Sequence, residues 1–365
     1  MNRKRGHFDY LLLFAVLGLL AIGTLIVFSA SASIAYHTLR SPYYYFERQL
    51  MWAFLGLIIL TVASRYDYWR YHKWALPVFL GSVLLLVAVL IPHVGITING
   101  SRRWLGVGSL QVQPSELAKI GMIFLYARLL TLHQEQITEF WRGIVPHLAL
   151  ALVVFALVLA EPDLGTTVAI AGTFFVMLFA AGAKKRHLGA LFASALPVLG
   201  LSIVLQPYRL QRIIAFTDPW KHPLGEGFHT IQGLLALGSG GVLGLGLGYS
   251  RQALGFLPES FTDFIFAILG EELGLLGTLT VVALFLIVAW RGYRIAMRAP
   301  DLFSSLLATG FTTMIAIQAA INMGVVTATL PVTGITLPFI SYGGSSLVLS
   351  LAGVGVLLNI SKHTT

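Results

Sequence analysis

Apolar residues dominate the chain in long runs, and most polar residues fall between those runs. No charged residue occurs between Asp9 and Arg40. Apolar runs of about 18 residues or more with little charge read as membrane-spanning helices. Ten are predicted, at roughly 10–32, 50–64, 74–92, 116–132, 143–160, 166–182, 187–205, 264–290, 304–324 and 342–360. Trp52, with Tyr43, Tyr44 and Tyr45 before it, reads as an interfacial belt. Three non-spanning stretches fall on one side of the membrane, at 93–115, 161–165 and 206–263. The last is the longest and contains Trp220, Phe228, Ile231, Leu234 and Leu235, which predicts short amphipathic helices at the membrane surface. The fold class expected is an all-α integral membrane protein. It is a single ten-helix bundle over residues 1–365, with a large extracytoplasmic loop, about 206–263, between the seventh and eighth helices. No internal repeat and no pair of discontinuous half-helices is apparent.

Composition agrees with the pattern. Of 365 residues, 57% are hydrophobic and 11% charged, against roughly 45–50% and about 25% for soluble domains. That excludes a soluble enzyme and a disordered chain. Cysteine is absent, which excludes disulfides, thiolate metal sites and a Cys nucleophile. The net charge of +9 would suit nucleic acid, but its distribution does not. With the N-terminus inside, fifteen Lys and Arg fall in cytoplasmic segments and eight outside, with Lys119 inside a span. This bias orients both termini to the cytoplasm. No basic cluster is interleaved with stacking aromatics, so no nucleic-acid partner is expected. Arg3, Lys4 and Arg5 precede the first run, and Ala30-Ser31-Ala32 resembles a cleavage site. The apolar stretch exceeds the roughly 7–15 residues of a signal peptide, so an uncleaved helix is expected.

Ionisable residues inside spans are costly and are functional candidates. Glu116 and Lys119 lie three apart on one face of the fourth span. They are either a buried ion pair or part of a polar cavity open to the outside. Glu161 and Asp163 flank Pro162 in a short outer turn, where Asp163 is a candidate cap for the next helix. Asp263 precedes the eighth span and reads as an N-cap or as a catalytic carboxylate. Glu271 and Glu272 sit about 12–14 Å further along that helix and require partners, either Lys119 or backbone. The glycine run from Gly238 to Gly248 lacks the strand–turn–helix setting of a dinucleotide site, so close packing or a sharp turn is the better reading. Ser341 to Ser346 open the tenth span and could offer N–H groups to an anion. The ten His show no metal-ligand spacing.

Six motifs carry a family resemblance. They are Asn99-Gly100-Ser101-Arg102-Arg103-Trp104, Gln113-Pro114-Ser115-Glu116 and Glu161-Pro162-Asp163-Leu164-Gly165-Thr166, followed by Leu257-Pro258-Glu259 with Thr262-Asp263-Phe264-Ile265-Phe266-Ala267, then Gly270-Glu271-Glu272-Leu273-Gly274 and Ile340 to Ser346. In this order they closely resemble the SEDS family (shape, elongation, division and sporulation) over about residues 10–361. Thr217 to Lys221, Leu330 to Pro338 and Leu357 to Ser361 look more like its FtsW/SpoVE branch than its RodA branch.

The resemblance implies peptidoglycan glycosyltransfer: polymerisation of lipid II at the outer face of the bacterial cytoplasmic membrane. It implies Asp263 as the essential carboxylate. It implies cavity or substrate roles for Arg103, Trp104, Glu116, Lys119 and Asp163. Arg212, Glu271, Ser341 and Ser345 join them as candidate substrate residues. A divalent cation, Mg²⁺ or Mn²⁺, is expected, with a class B penicillin-binding protein and other division-complex membrane proteins as partners. In such a reaction one carboxylate serves as general base, worth about 10²–10⁴-fold. A carboxylate at a helix N-terminus is expected to have a lowered pKa, so Asp263 remains open to base or metal-binding roles. A lipid II flippase, a RodA-type elongation polymerase and a non-catalytic scaffold are the rival readings.

Overall fold

The computed structural model describes residues 7–98, 101–107 and 110–364. Arg3, Lys4, Arg5, Asn99 and Gly100 lie outside the described residues. The chain folds into helices α1 (Tyr10–Leu39), α2 (Tyr44–Arg65) and α3 (Tyr71–Leu90), then strands β1 (Ile96–Ile98), β2 (Ser101–Val107) and β3 (Leu110–Val112). Helices α4 (Pro114–Leu132), α5 (Val145–Ala160), α6 (Leu164–Ala180), α7 (Lys185–Val204), α8 (Pro207–Thr217) and α9 (Phe228–Gly240) follow. The last are α10 (Ile265–Met297), α11 (Leu302–Val326) and α12 (Gly344–Ser361). Among the described residues eight helical segments are long and apolar enough to cross a membrane: α1, α2, α3, α5, α7, α10, α11 and α12, with α3 and α5 each extended by the turn before it. Helix α6 is apolar but has 17 residues. Helix α4 carries Glu116, Lys119 and Arg128.

Helices α4, α11 and α12 form the buried centre, and α11 and α12 are mostly enclosed by protein. Helix α7 is the opposite case: only Leu188 is buried along its length. A helix apolar all round and unpacked by protein faces lipid. The end where α1 starts and α12 stops is tied by polar contacts. Asp9 caps α1 through the Leu12 N–H and pairs with Arg291 of α10 at 2.7 Å. Asn359 donates to the Ser64 carbonyl and accepts from the Tyr68 N–H, and Tyr68 donates its hydroxyl to Asp301. Lys362 donates to the same Ser64 carbonyl.

Two features were absent from the sequence reading. Residues 93–115 contain a three-stranded antiparallel sheet, with Ile96 opposite Trp104 and Leu105 opposite Val112. Helix α10 is also discontinuous. Gly274 stands at φ 67°, ψ −164°, and divides it into a buried half, 265–273, and a longer half beyond. A break of this kind orphans backbone groups on both sides. The glycine-rich segment 241–246 supplies their partners. Leu275 and Leu276 donate to Gly241 and Val242, while Leu245 and Gly246 donate to the Glu271 and Glu272 carbonyls. The approach is so close that a Cβ on Gly244 would stand 2.1 Å from the Glu272 carbonyl oxygen. Close packing thus accounts for Gly240 and Gly244, while Gly241, Gly246 and Gly248 stand at positive φ in the turns of the segment.

Candidate active site

Asp263 sits in the turn that leads into α10. Phe264 takes the capping position, and no side chain caps that helix, so the N-cap reading of Asp263 is corrected. The backbone around it is held from three directions. Asn322 of α11 donates its amide to the Asp263 carbonyl and to the Ile335 carbonyl, both at 2.7 Å. Ser341 donates to the Thr262 carbonyl at 2.6 Å, and the Tyr342 N–H donates to the Phe261 carbonyl at 2.9 Å. The Phe261 ring packs against Tyr45 of α2 and Tyr342, with centroids 4.7 and 5.8 Å away. The main chain is thereby fixed while the Asp263 carboxylate stays half-buried. Its Oδ2 faces Gly334, where a Cβ would lie 3.4 Å away.

Burial pushes the Asp263 pKa up to about 7, and the negative charge of Glu259 adds to that rise. Arg103 and Arg212 act in the opposite sense, and Asp163 raises it further. The lowered pKa expected from the helix dipole is therefore overturned: desolvation and a neighbouring carboxylate outweigh it. Those same neighbours bring Arg103, Asp163, Glu259 and Arg212 into one electrostatic field around Asp263. The His229 ring of α9 lies tilted against Phe264, with centroids 5.7 Å apart, and burial lowers its pKa.

Arg103, on β2, reaches across to the turn between α5 and α6. Its Nε donates to the Glu161 carbonyl at 2.9 Å and its Nη2 to the Pro162 carbonyl at 2.6 Å. Its Nη1 stands 3.7 Å from Asp163. Asp163 caps α6, accepting from the N–H and hydroxyl of Thr166, each at 2.9 Å, and also accepts from Gln113. Trp104 is the next residue along the strand and points to the other face of the sheet. Arg212, on α8, pairs with Glu226 at 3.2 Å and is half-exposed.

Five candidate residues, Glu116, Lys119, Glu271, Glu272 and Ser345, are placed elsewhere, while Ser341 stays beside Asp263 as a support of its backbone. Glu116 and Lys119 form a buried ion pair at 2.7 Å, 6% and 3% exposed. They border a void of about 20 Å³ lined also by Phe311, Met314 and Gln318, room for about one water molecule. Of the two readings the sequence left open, the buried pair is the one the side chains form. Glu271 accepts from Ser250 and from the Arg251 and Gln252 N–H groups, so it clamps the 250–252 loop to α10. Glu272 accepts from Ser29 and from the Gly248 N–H. Neither glutamate pairs with Lys119. Ser341 spends its hydroxyl on backbone, as above. Ser345 is buried, and the Trp52 ring lies over Gly344, so the start of α12 is closed to an anion. Sequence reasoning missed Asn322, although an amide inside an apolar stretch is a signal of this kind.

Among the described residues no three His, Asp or Glu converge into a metal site. The described residues therefore offer no protein-only cage for a divalent cation. The family model for FtsW/RodA/SpoVE, described as cell cycle protein, matches residues 10–365. The chain belongs to the FtsW/RodA/SpoVE family. Stage V sporulation protein E of Bacillus subtilis is 48% identical to it, over 100% of both chains. The probable peptidoglycan glycosyltransferase FtsW of Geobacter metallireducens is 42% identical, over 98% of this chain and 95% of that one. Among solved structures, a chain of a peptidoglycan synthase complex matches with TM-score 0.79 and 33% identity, over 97% of each chain. Thermus thermophilus rod shape determining protein RodA matches with TM-score 0.71 and 31% identity, over 97% of this chain and 96% of that one. This FtsW/RodA/SpoVE protein is therefore a peptidoglycan glycosyltransferase and a multi-pass protein of the bacterial cytoplasmic membrane.

Proposed function

We propose that the protein polymerises lipid II into glycan strands at the outer face of the membrane, with Asp263 as general base. The observation that carries the reading is a half-buried carboxylate with a pKa near 7, on a fixed backbone, facing two arginines. The acceptor sugar's 4-hydroxyl loses its proton to Asp263 as its oxygen attacks the donor's anomeric carbon. The bond from that carbon to the undecaprenyl diphosphate breaks, and the diphosphate leaves with the electron pair. Arg103 and Arg212 face that developing charge, and Asp163 keeps Arg103 in place. Trp104 is assigned to the substrate's sugar or lipid portion. No protein-only metal cage exists among the described residues, so the Mg²⁺ or Mn²⁺ that the family implies is assigned to the lipid diphosphate, the ligand type such ions prefer.

The chain is read as one ten-span unit with both termini in the cytoplasm, α4 and α6 completing the set. Relatives named SpoVE and FtsW, at 48% and 42% identity, support a division or sporulation role over elongation. Likeness to a chain of a synthase complex that couples polymerization to crosslinking supports a penicillin-binding partner for crosslinking. The test is Asp263→Asn in purified complex with lipid II. Asn removes the proton acceptor at nearly the same shape, so glycan synthesis is expected to fall by about 10²-fold or more. Near-normal synthesis would end the assignment. The broken helix α10 also suits a transporter. Movement of lipid II across vesicles without polymer would favour that second reading.

A further inference from the structure

Glu161 is unused by the mechanism above. It is 0% exposed, and both of its carboxyl oxygens are buried without a hydrogen-bond partner. An ionised carboxylate left this way is costly. Its own carbonyl, and that of Pro162, hold the Arg103 guanidinium, while the ion pair of Arg103 goes to Asp163. Three elements meet here. Arg103 faces Glu161 from β2 and Asp163 from the same turn. Helix α8 adds Tyr208, whose hydroxyl reaches the Pro162 carbonyl and accepts from Arg209.

We propose that Glu161 is a positioning residue that works only as the neutral acid. Protonated, it leaves Arg103 seated on two carbonyls, with its remaining N–H groups open to an anionic substrate. Ionised, it draws the guanidinium to itself and away from the site. Five donors on a planar fork allow Arg103 to satisfy the turn and a diphosphate together, and a second carboxylate at the turn ends that sharing. Burial and the Asp163 charge raise the Glu161 pKa to about 8, against the lowering by Arg103, so the switch lies just above neutral pH. The inference rests on the lipid-diphosphate reading for its ligand.

The experiment is a binding titration of undecaprenyl diphosphate to the detergent-solubilised full chain at pH 7 and pH 9. Wild type is expected to lose about tenfold in affinity between them, the change in neutral fraction for a group near pH 8. In Glu161→Gln, which stays neutral, the ratio of the two affinities should remain within about twofold. An equal alkaline loss in both proteins would overturn the proposal. The melting temperature of the ligand-free proteins gives a second readout. The buried acid must ionise in the folded state only above pH 8, so wild type should lose stability relative to Glu161→Gln from about pH 5 to pH 8 and then level. A flat difference would also overturn it. Loss of glycan synthesis with this binding profile intact would count against the polymerase reading alone.

Discussion

Asp263 and Glu259 set the chemistry of the site together, because the negative charge of Glu259 opposes the ionisation of Asp263. With its pKa near 7, Asp263 is a usable base above that value, so polymerisation should fall as pH drops through about 7. Glu259→Gln removes the charge that helps raise it, and the acid limb of the rate profile should move to lower pH. An unmoved limb would show that burial alone sets it. The folded-state pKa of Asp263 lies above its ordinary value, so its ionisation costs stability between about pH 4 and pH 7. Asp263→Asn should therefore melt progressively higher than wild type across that window, although it makes no glycan. Asp263 was legible from its motif, and so were Arg103 and Asp163. The direction of the Asp263 pKa was not, since it depends on Glu259 and on the wall formed by Gly334 and Asn322, far apart in sequence.

At the scale of elements, the Glu116–Lys119 pair and the α10 break make separate claims. Removing one partner of a buried ion pair leaves the other charge unpaired, at a cost of about 3–5 kcal/mol. Glu116→Gln or Lys119→Met should each lower the melting temperature strongly. The double change to Gln and Met should recover much of that loss. Gly244→Ala and Gly274→Ala each place a Cβ within 2.3 Å of backbone at a positive φ, costing about 1–3 kcal/mol. Wild-type melting of either variant would contradict the splint described for segment 241–246. The long helices were readable because apolar run length reports them directly. The sheet at 96–112 was not, because its outer strands are three residues each and carry too little alternation. Nor was the break at Gly274, since a single glycine in an apolar helix is commonly tolerated and only its partner segment, 241–246, reveals it.

For the whole molecule, charge distribution and helix length carry the topology. A reporter fused after Thr365 should be active only in the cytoplasm, and one inserted near Leu224 only outside. The reverse pattern would invert the bundle and remove Asp263 from the outer face. Helices α4 and α6 fall short on charge and length because α4 is enclosed by protein and α6 leans on α11 and α5, so neither has to satisfy lipid alone. The polar tie among Asp9, Arg291, Ser64, Tyr68, Asp301 and Asn359 binds one end of the bundle, and the bonds of Asn322 and Ser341 hold the backbone beside Asp263 near the other. A frame pinned at both ends leaves its give to what hangs outside the pins, such as α8, which meets the α5–α6 turn through the Tyr208 hydroxyl. Spin-label pairs near Ser64 and Lys362 should give narrow distance distributions. Pairs joining α8 to β2 should give broad ones, the compliance a growing polymer needs to slide out one sugar at a time.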